Sequence, residues 1–249
     1  MRPAERILVF DIETTNLNAE WGTILCIGYQ ILGHMERPRL LRISTTGAYK
    51  KDHTDDSELV ANFITVWNSC DFVISWYGAD WHFDEPYLRA KLLLNKIDHL
   101  VHMDEKPHID LWRTSRTRLK LTNNRLAHVS EMIGIEGFEK TKVSPWHWRR
   151  AQAGYADGRK YVEEHCIADV DVLREVYYRF RQYVRAHPNL NRFVEGANQE
   201  PHCHRCGSSA VIRIGRKLLQ ATTMIMWRCD DCGGNSSSPD KKFWDLRNP

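Results

Sequence analysis

Four acidic residues stand in three widely separated stretches, and any fold of this chain has to place all of them. Residues 7–10 (Ile-Leu-Val-Phe) form a short apolar run that breaks off into Asp11-Ile12-Glu13-Thr14. Alternation along a strand puts Asp11 and Glu13 on the same face. Two carboxylates side by side repel, and one takes up a proton unless a cation lies between them. Asp84 follows Phe83 and opens a helical pattern through Pro86-Tyr87-Leu88. His165 and Asp169 stand four apart in the longest helical pattern and so share a helical face. Taken singly, Asp11 and Glu13 could serve a turn, Asp84 an N-cap, and His165 a hydrogen-bonded core. The set, in this order, points to one site.

The apolar patterning supplies the frame. Residues 7–11, 24–32, 39–44 and 71–76 read as strands, with a turn over 16–22. Asp55, Asp56 and Ser57 offer N-caps for a helix with Leu59, Val60, Phe63, Ile64 and Trp67 on one face. Helices are expected over 84–95, over 125–133 with a stop at Gly134, and over 158–185, the longest. His187-Pro188-Asn189 ends that last helix. Residues 96–120 carry no clear pattern. Three antiparallel-type strands followed by alternating helix and strand predict an α/β domain rather than a bundle or a sandwich.

Composition narrows the class. The 249 residues are 42% hydrophobic and 27% charged, as in ordinary globular proteins. No run of about 18 apolar residues is present, so no transmembrane helix is expected. The first six residues lack a signal-peptide pattern, and a cytoplasmic protein is expected. Of the 7 cysteines, Cys26, Cys70 and Cys166 are isolated and read as core thiols. The other four form two Cys-x-x-Cys pairs, which suit a reducing compartment and a metal. The net charge of +3 sits entirely in residues 200–249, with 8 Lys+Arg against 5 Asp+Glu. Four thiolates and one Zn2+ would lower it to about +1, so global charge identifies no partner.

The acids suggest their own chemistry. Hard divalent cations select carboxylate oxygens. Two of them about 3.5–4 Å apart activate a water and stabilise a leaving oxygen in phosphodiester hydrolysis. A histidine titrating near neutrality can take the water's proton.

With these motifs the chain resembles the DEDD, or DnaQ-like, 3′–5′ exonuclease superfamily. Phe10-Asp11-Ile12-Glu13-Thr14 matches its first motif. Tyr77-Gly78 with Phe83-Asp84-x-Pro86-Tyr87-Leu88 matches the second, and His165-Cys166-x-x-Asp169-Val170 the third. Ile109-Asp110-Leu111, residues 124–134 and residues 139–142 resemble the branch related to family B DNA polymerase proofreading domains. The resemblance covers about residues 5–185. It implies a ribonuclease H-like mixed sheet flanked by helices, with Asp11, Glu13, Asp84 and Asp169 holding two Mg2+ or Mn2+ ions. His165 is the expected base. The implied activity is 3′–5′ exonucleolytic cleavage of single-stranded nucleic acid, DNA before RNA.

Two departures stand out. The family has Tyr with three residues before the last Asp, or His with four; here His165 stands with three. Asp80 occupies a turn position where Asn is frequent; it could join the metal shell or hold the turn, and holding the turn is its expected role. Asp171 competes with Asp169 but lies about 200° further round the helix. Tyr161, two turns before Asp169, is expected to lie too far away.

Cys203-x-x-Cys206-Gly207 and Cys229-x-x-Cys232-Gly233 read as the knuckles of a zinc ribbon, with strands over 211–219 and 221–228. Four thiolates close a tetrahedral structural site for one Zn2+, leaving His202 and His204 unneeded. The expected division is an exonuclease domain over 1–190, a linker over 191–200, and the ribbon with its tail over 201–249. The ribbon's Arg205, Arg213, Arg216, Lys217, Arg228 and Trp227 suit a phosphate backbone or a protein partner. Arg113, Arg116, Arg118, Lys120 and Arg125, with Lys140, Lys142, Trp146, Trp148, Arg149 and Arg150, suit a single strand. Trp76 and Trp81 read as core, with a place for one of them beside the terminal nucleotide as the alternative, and His99, His102 and His108 as structural. A non-catalytic adaptor that keeps the fold and binds through the ribbon is the rival reading.

Overall fold

The apolar run at residues 7–10 is buried because β1 (Ile7–Thr14) is the middle strand of a five-stranded sheet. In this computed structural model, which describes residues 6–101, 103, 106–135, 143–190, 201–220 and 222–240, β1 pairs antiparallel with β2 (Ile24–Leu32), which pairs antiparallel with β3 (Arg39–Arg42). On its other side β1 pairs parallel with β4 (Phe72–Ser75), and β4 parallel with β5 (His108–Asp110). The order is β3-β2-β1-β4-β5. This is the mixed α/β, ribonuclease H-like architecture expected from the sequence.

Strand alternation sorts β1 into two jobs. Leu8, Phe10 and Ile12 join a core with Leu59, Val60, Phe63, Ile64 and Trp67 of α2 (Ser57–Asn68). Asp11 and Glu13 point to the opposite face, over Gly28 and Cys26 of β2. That face is covered by α7 (Ala156–Phe180), through Cys166 and Val170. Gly28 permits the close approach: a Cβ there would stand 3.0 Å from both Cys166 Sγ and Val170 Cγ2.

The remaining helices are α1 (Gly47–Lys51), α3 (Asp84–Leu94), α4 (Leu111–Arg118), α5 (Leu126–Met132) and α6 (Pro145–Gln152). The first unit spans Arg6–Tyr177, and a second compact unit begins at Tyr178. The second unit contains a three-stranded antiparallel sheet, β6 (Val211–Leu218), β7 (Thr223–Cys229) and β8 (Asn235–Pro239), in that order. The expected linker 191–200 lies outside the described residues, as do residues 139–142. Among the described residues no helix is long and apolar enough to cross a membrane.

Several elements differ from expectation, each for a local reason. Asp56 is the N-cap residue of α2 but makes no side-chain cap bond. Its buried carboxylate instead accepts from Ile24 N and Asn95 Nδ2 and pairs with Lys91 Nζ at 3.0 Å. The long helix stops at Phe180 rather than 185, and the guanidinium of Arg205 takes the carbonyls of Arg181 and Val184. Within 96–120 a three-residue strand feeds α4, whose N-cap is the Asp110 side chain. The Ser144–His147 capping box, with Pro145 at the start, opens α6. β8 is a polar strand (Asn-Ser-Ser-Ser-Pro) running to Pro239, where no strand was expected.

Trp67 is fully buried and meets Phe10 edge-on at 5.7 Å. Trp67→Ala should lower the unfolding free energy by about 3–5 kcal/mol in urea denaturation, because the void opens beneath the strand that carries Asp11 and Glu13.

Candidate active site and cysteine centre

Asp11 and Glu13 are half-buried on the α7 face of β1. Asp84 is the first residue of α3 and only 4% exposed. Burial pushes the Asp84 carboxyl well above its ordinary range, and the charges of Asp11 and Asp110 push the same way. Glu13 is likewise raised, first by burial and then by Asp11, Cys26, Asp169 and Asp84. Carboxyls from two helices and one strand end therefore act on Glu13 and Asp84. The His165 Nε2 to Asp169 Oδ2 distance is 3.7 Å, within ion-pair range but longer than a hydrogen bond.

The donor set fits hard cations. Asp84 Oδ2 and Asp169 Oδ1 are buried with no hydrogen-bond partner among the described residues. Oxygens so placed are costly unless a positive group meets them. Asp171 is engaged elsewhere, by Arg174 Nη1 at 2.7 Å, which leaves Asp169 as the α7 carboxylate that faces Glu13. Tyr161 stacks on His147 at 3.9 Å.

One neighbour escaped the sequence reading. Donor atoms of Asp11, Glu13 and Cys166 all lie within 4.8 Å of one another. Cys166 is a core thiol, as expected, but it also abuts the acids. Its position directly after His165 and three before Asp169 was the available signal.

A buried polar frame fixes the turn that carries Asp84. Asp110 accepts from Tyr77 N at 3.0 Å and contacts His82 Nδ1 at 2.6 Å, while capping α4 through Trp112 N at 2.9 Å. It holds a backbone in which Tyr77 (φ 62°) and Asp80 (φ 56°) are both left-handed. Gly78 is required there, since a Cβ would collide with Asp84 Oδ2 and Ser75 Oγ. Next to Asp84, Glu85 binds His108 Nδ1 and Arg89, and His108 Nε2 meets Ser75 Oγ at 2.8 Å. Burial alone would raise the Glu85 carboxyl, but the bonds from His108 and Arg89 prevail and lower it. Asp80 pairs with Arg113 at the surface, in keeping with a turn role.

A cavity of about 340 Å3 opens beside Glu13, walled by Ile12, Leu17, Phe83 and Trp148. A second, of about 390 Å3, shares Leu17 and Phe83 and continues along α3. Trp81 is 71% exposed, which corrects its expected place in the core. Trp146 is exposed as well, with Arg150 packed 5.6 Å from its ring. Arg113, Arg116, Arg118, Lys120 and Arg125 lie at least partly at the surface; Lys140, Lys142 and His102 lie outside the described residues.

In the second unit the sulfurs of Cys203, Cys206, Cys229 and Cys232 lie within 4.8 Å of one another. Both knuckles close in the same way, with Gly207 N on Cys203 O (2.9 Å) and Gly233 N on Cys229 O (3.0 Å), both glycines left-handed. A hydrogen bond from Cys206 holds the Cys203 thiol down to about 4, so the cluster already favours a thiolate. The four-cysteine set fits a zinc ribbon.

The RNase H superfamily matches residues 8–191 of the chain. No curated protein matches it. The family B DNA polymerase from the hyperthermophilic archaeon Pyrobaculum calidifontis shares the fold with a TM-score of 0.56 at 14% identity, over 88% of this chain and 31% of the polymerase. Apo exonuclease I does so with a TM-score of 0.50 at 11% identity, over 91% of this chain and 57% of that one. The chain thus spans about a third of the first and just over half of the second.

Asp110→Ala removes the acceptor shared by the turn, His82 and the α4 cap. Unpaired buried donors should cost about 1–3 kcal/mol in denaturant melts, and Asp110→Asn, which keeps an acceptor, should cost less.

Proposed function

Given that this chain belongs to the RNase H superfamily, we propose that it is a 3′–5′ exonuclease acting on single-stranded nucleic acid, DNA before RNA. The observation that carries this reading is that the charges of Asp11, Asp169 and Asp84 all act on the largely buried carboxyl of Glu13. In this reading Asp11, Glu13, Asp84 and Asp169 hold Mg2+ or Mn2+. Bound there, such cations would supply Lewis-acid activation of water and charge stabilisation at the leaving 3′ oxygen.

The chain's own groups do the rest. His165 accepts the proton of the attacking water at Nε2, and the imidazolium so formed stands beside Asp169. The cavity next to Glu13 receives the terminal nucleoside, its base against Phe83, Leu17 and Trp148. A pocket of that size, set directly against the acids, suits an unpaired end better than a base pair. The exposed arginines of α4 follow the phosphates upstream. The product is a nucleoside 5′-monophosphate. Residues 1–190 form the catalytic domain, and 201–249 the ribbon, whose four cysteines hold one structural Zn2+.

With Mg2+ or Mn2+, 5′-labelled single-stranded DNA should shorten stepwise, while 3′-labelled DNA releases its label as a mononucleotide at once. Asp11→Ala should abolish both. His165→Ala should slow them by about 10²–10⁴-fold. Cleavage that survives Asp11→Ala overturns the assignment, and RNA run in parallel ranks the sugars. Stripping the ribbon's metal should release one zinc per chain and cost the β6–β8 amides their hydrogen-exchange protection.

A further inference from the structure

The oxygen ligands proposed above do not exhaust the donors around Asp11 and Glu13. Two thiols lie on the same face of the sheet. Cys26 stands directly opposite Glu13 in the β1–β2 register, and Cys166 reaches the same place from α7. Both are fully buried. We propose that Cys166 is a metal ligand which, with Asp11 and Glu13, forms a mixed thiolate–carboxylate position for a thiophilic divalent cation of the zinc and cobalt class. This deepens the metal-centre part of the proposed function and rests on Asp11 and Glu13 being ligands; it does not require that the protein cleave nucleic acid.

The sulfur is placed for the purpose. Its distance to the carboxylate oxygens is within 4.8 Å, a span that one cation can bridge with metal–sulfur bonds of about 2.3 Å and metal–oxygen bonds of about 2.0–2.2 Å after small side-chain shifts. Gly28 N donates to Cys166 Sγ at 3.1 Å, and the thiol lies 3.6 Å from the Asp11 carbonyl. When the cation binds, the S–H bond breaks, its proton goes to solvent, and a metal–sulfur bond forms. The Asp11 carbonyl loses a weak donor. The Gly28 N–H stays on the thiolate, where a charged acceptor makes it a stronger bond.

An independent sign comes from Asp84. It is 4% exposed, its Oδ2 has no hydrogen-bond partner among the described residues, and the charge of Asp11 acts on it. A buried oxygen without a partner calls for a positive group near it, and so near Asp11. Cys70 provides the contrast. It is buried too, but its thiol is spent on the Val66 carbonyl at 3.3 Å, outside any metal-ligating cluster of the described residues. Sulfur among oxygens changes selection: carboxylates alone suit magnesium and manganese, whereas thiolate favours zinc and its relatives.

The test is spectroscopic and uses the full chain. The protein is first loaded with one equivalent of Zn2+, which the four-thiolate ribbon takes, and is then titrated with Co2+, which binds more weakly than zinc and leaves the ribbon filled. Wild type should develop a sulfur-to-cobalt charge-transfer band that saturates at one equivalent. Cys166→Ala should lose the band and bind Co2+ at least about tenfold more weakly, while Cys70→Ala should match wild type. Cys166→Ser keeps the size of the side chain and should also lose the band. No such band in wild type, or a band that persists in Cys166→Ser or Cys166→Ala, overturns the proposal. Because no readout involves nucleic acid, its failure is distinct from failure of the nuclease reading.

Discussion

Mutual repulsion among carboxylates that are partly withdrawn from water is the constraint on which the rest of this structure turns. Two unit charges about 4 Å apart repel by about 4 kcal/mol at an effective dielectric of 20. Burial first, and then the charges around them, push the Glu13 and Asp84 carboxyls well above their ordinary range. The stabilisation that offsets this comes from the opposite face of the same strand, where Phe10 packs at 5.3 Å on Phe63 and 5.7 Å on Trp67. Period-two alternation thus ties the destabilising face of β1 to its most stabilising face, and neither can move without the other.

Asp84 depends on a different device. It sits at a helix start, where a side chain would ordinarily be solvated. Here the preceding turn is locked by Asp110 from the neighbouring strand β5, and the following residue is locked by His108 of the same strand. Two residues of β5 therefore position the site without belonging to it. Both left-handed residues of the turn are non-glycine, a strain that persists because the buried carboxylate over-determines the backbone.

This explains what could be read from the sequence and what could not. The second strand was legible to the residue, because Ile24–Leu32 is continuously buried and almost continuously apolar. The acids were legible because they interrupt such runs. β5 and α4 were hidden: three residues show no periodicity, and the Asp110 cap looks like any acid until its donors are counted. β8 was hidden because its contribution is backbone pairing with β7, which leaves no apolar trace. Cys166 was read as core, correctly, yet burial does not say beside what a residue is buried. That depends on Gly28, a residue 138 positions away.

The histidine spacing is where local geometry says most about chemistry. At about 100° per residue, three intervening residues set His165 and Asp169 about 40° apart on the helix, whereas four would set them about 140° apart. The shorter spacing brings the His165 imidazole and the Asp169 carboxylate to 3.7 Å. The charge of Asp169 acts on Glu13 of β1, while Cys166 and Val170, about 100° further round the helix, form the stripe against Gly28. With the longer spacing, His165 and the carboxylate would no longer share a helical face. In this chain His165, Asp169 and Cys166 are thus brought together by one helical register, docked through Cys166 and Val170 on Gly28.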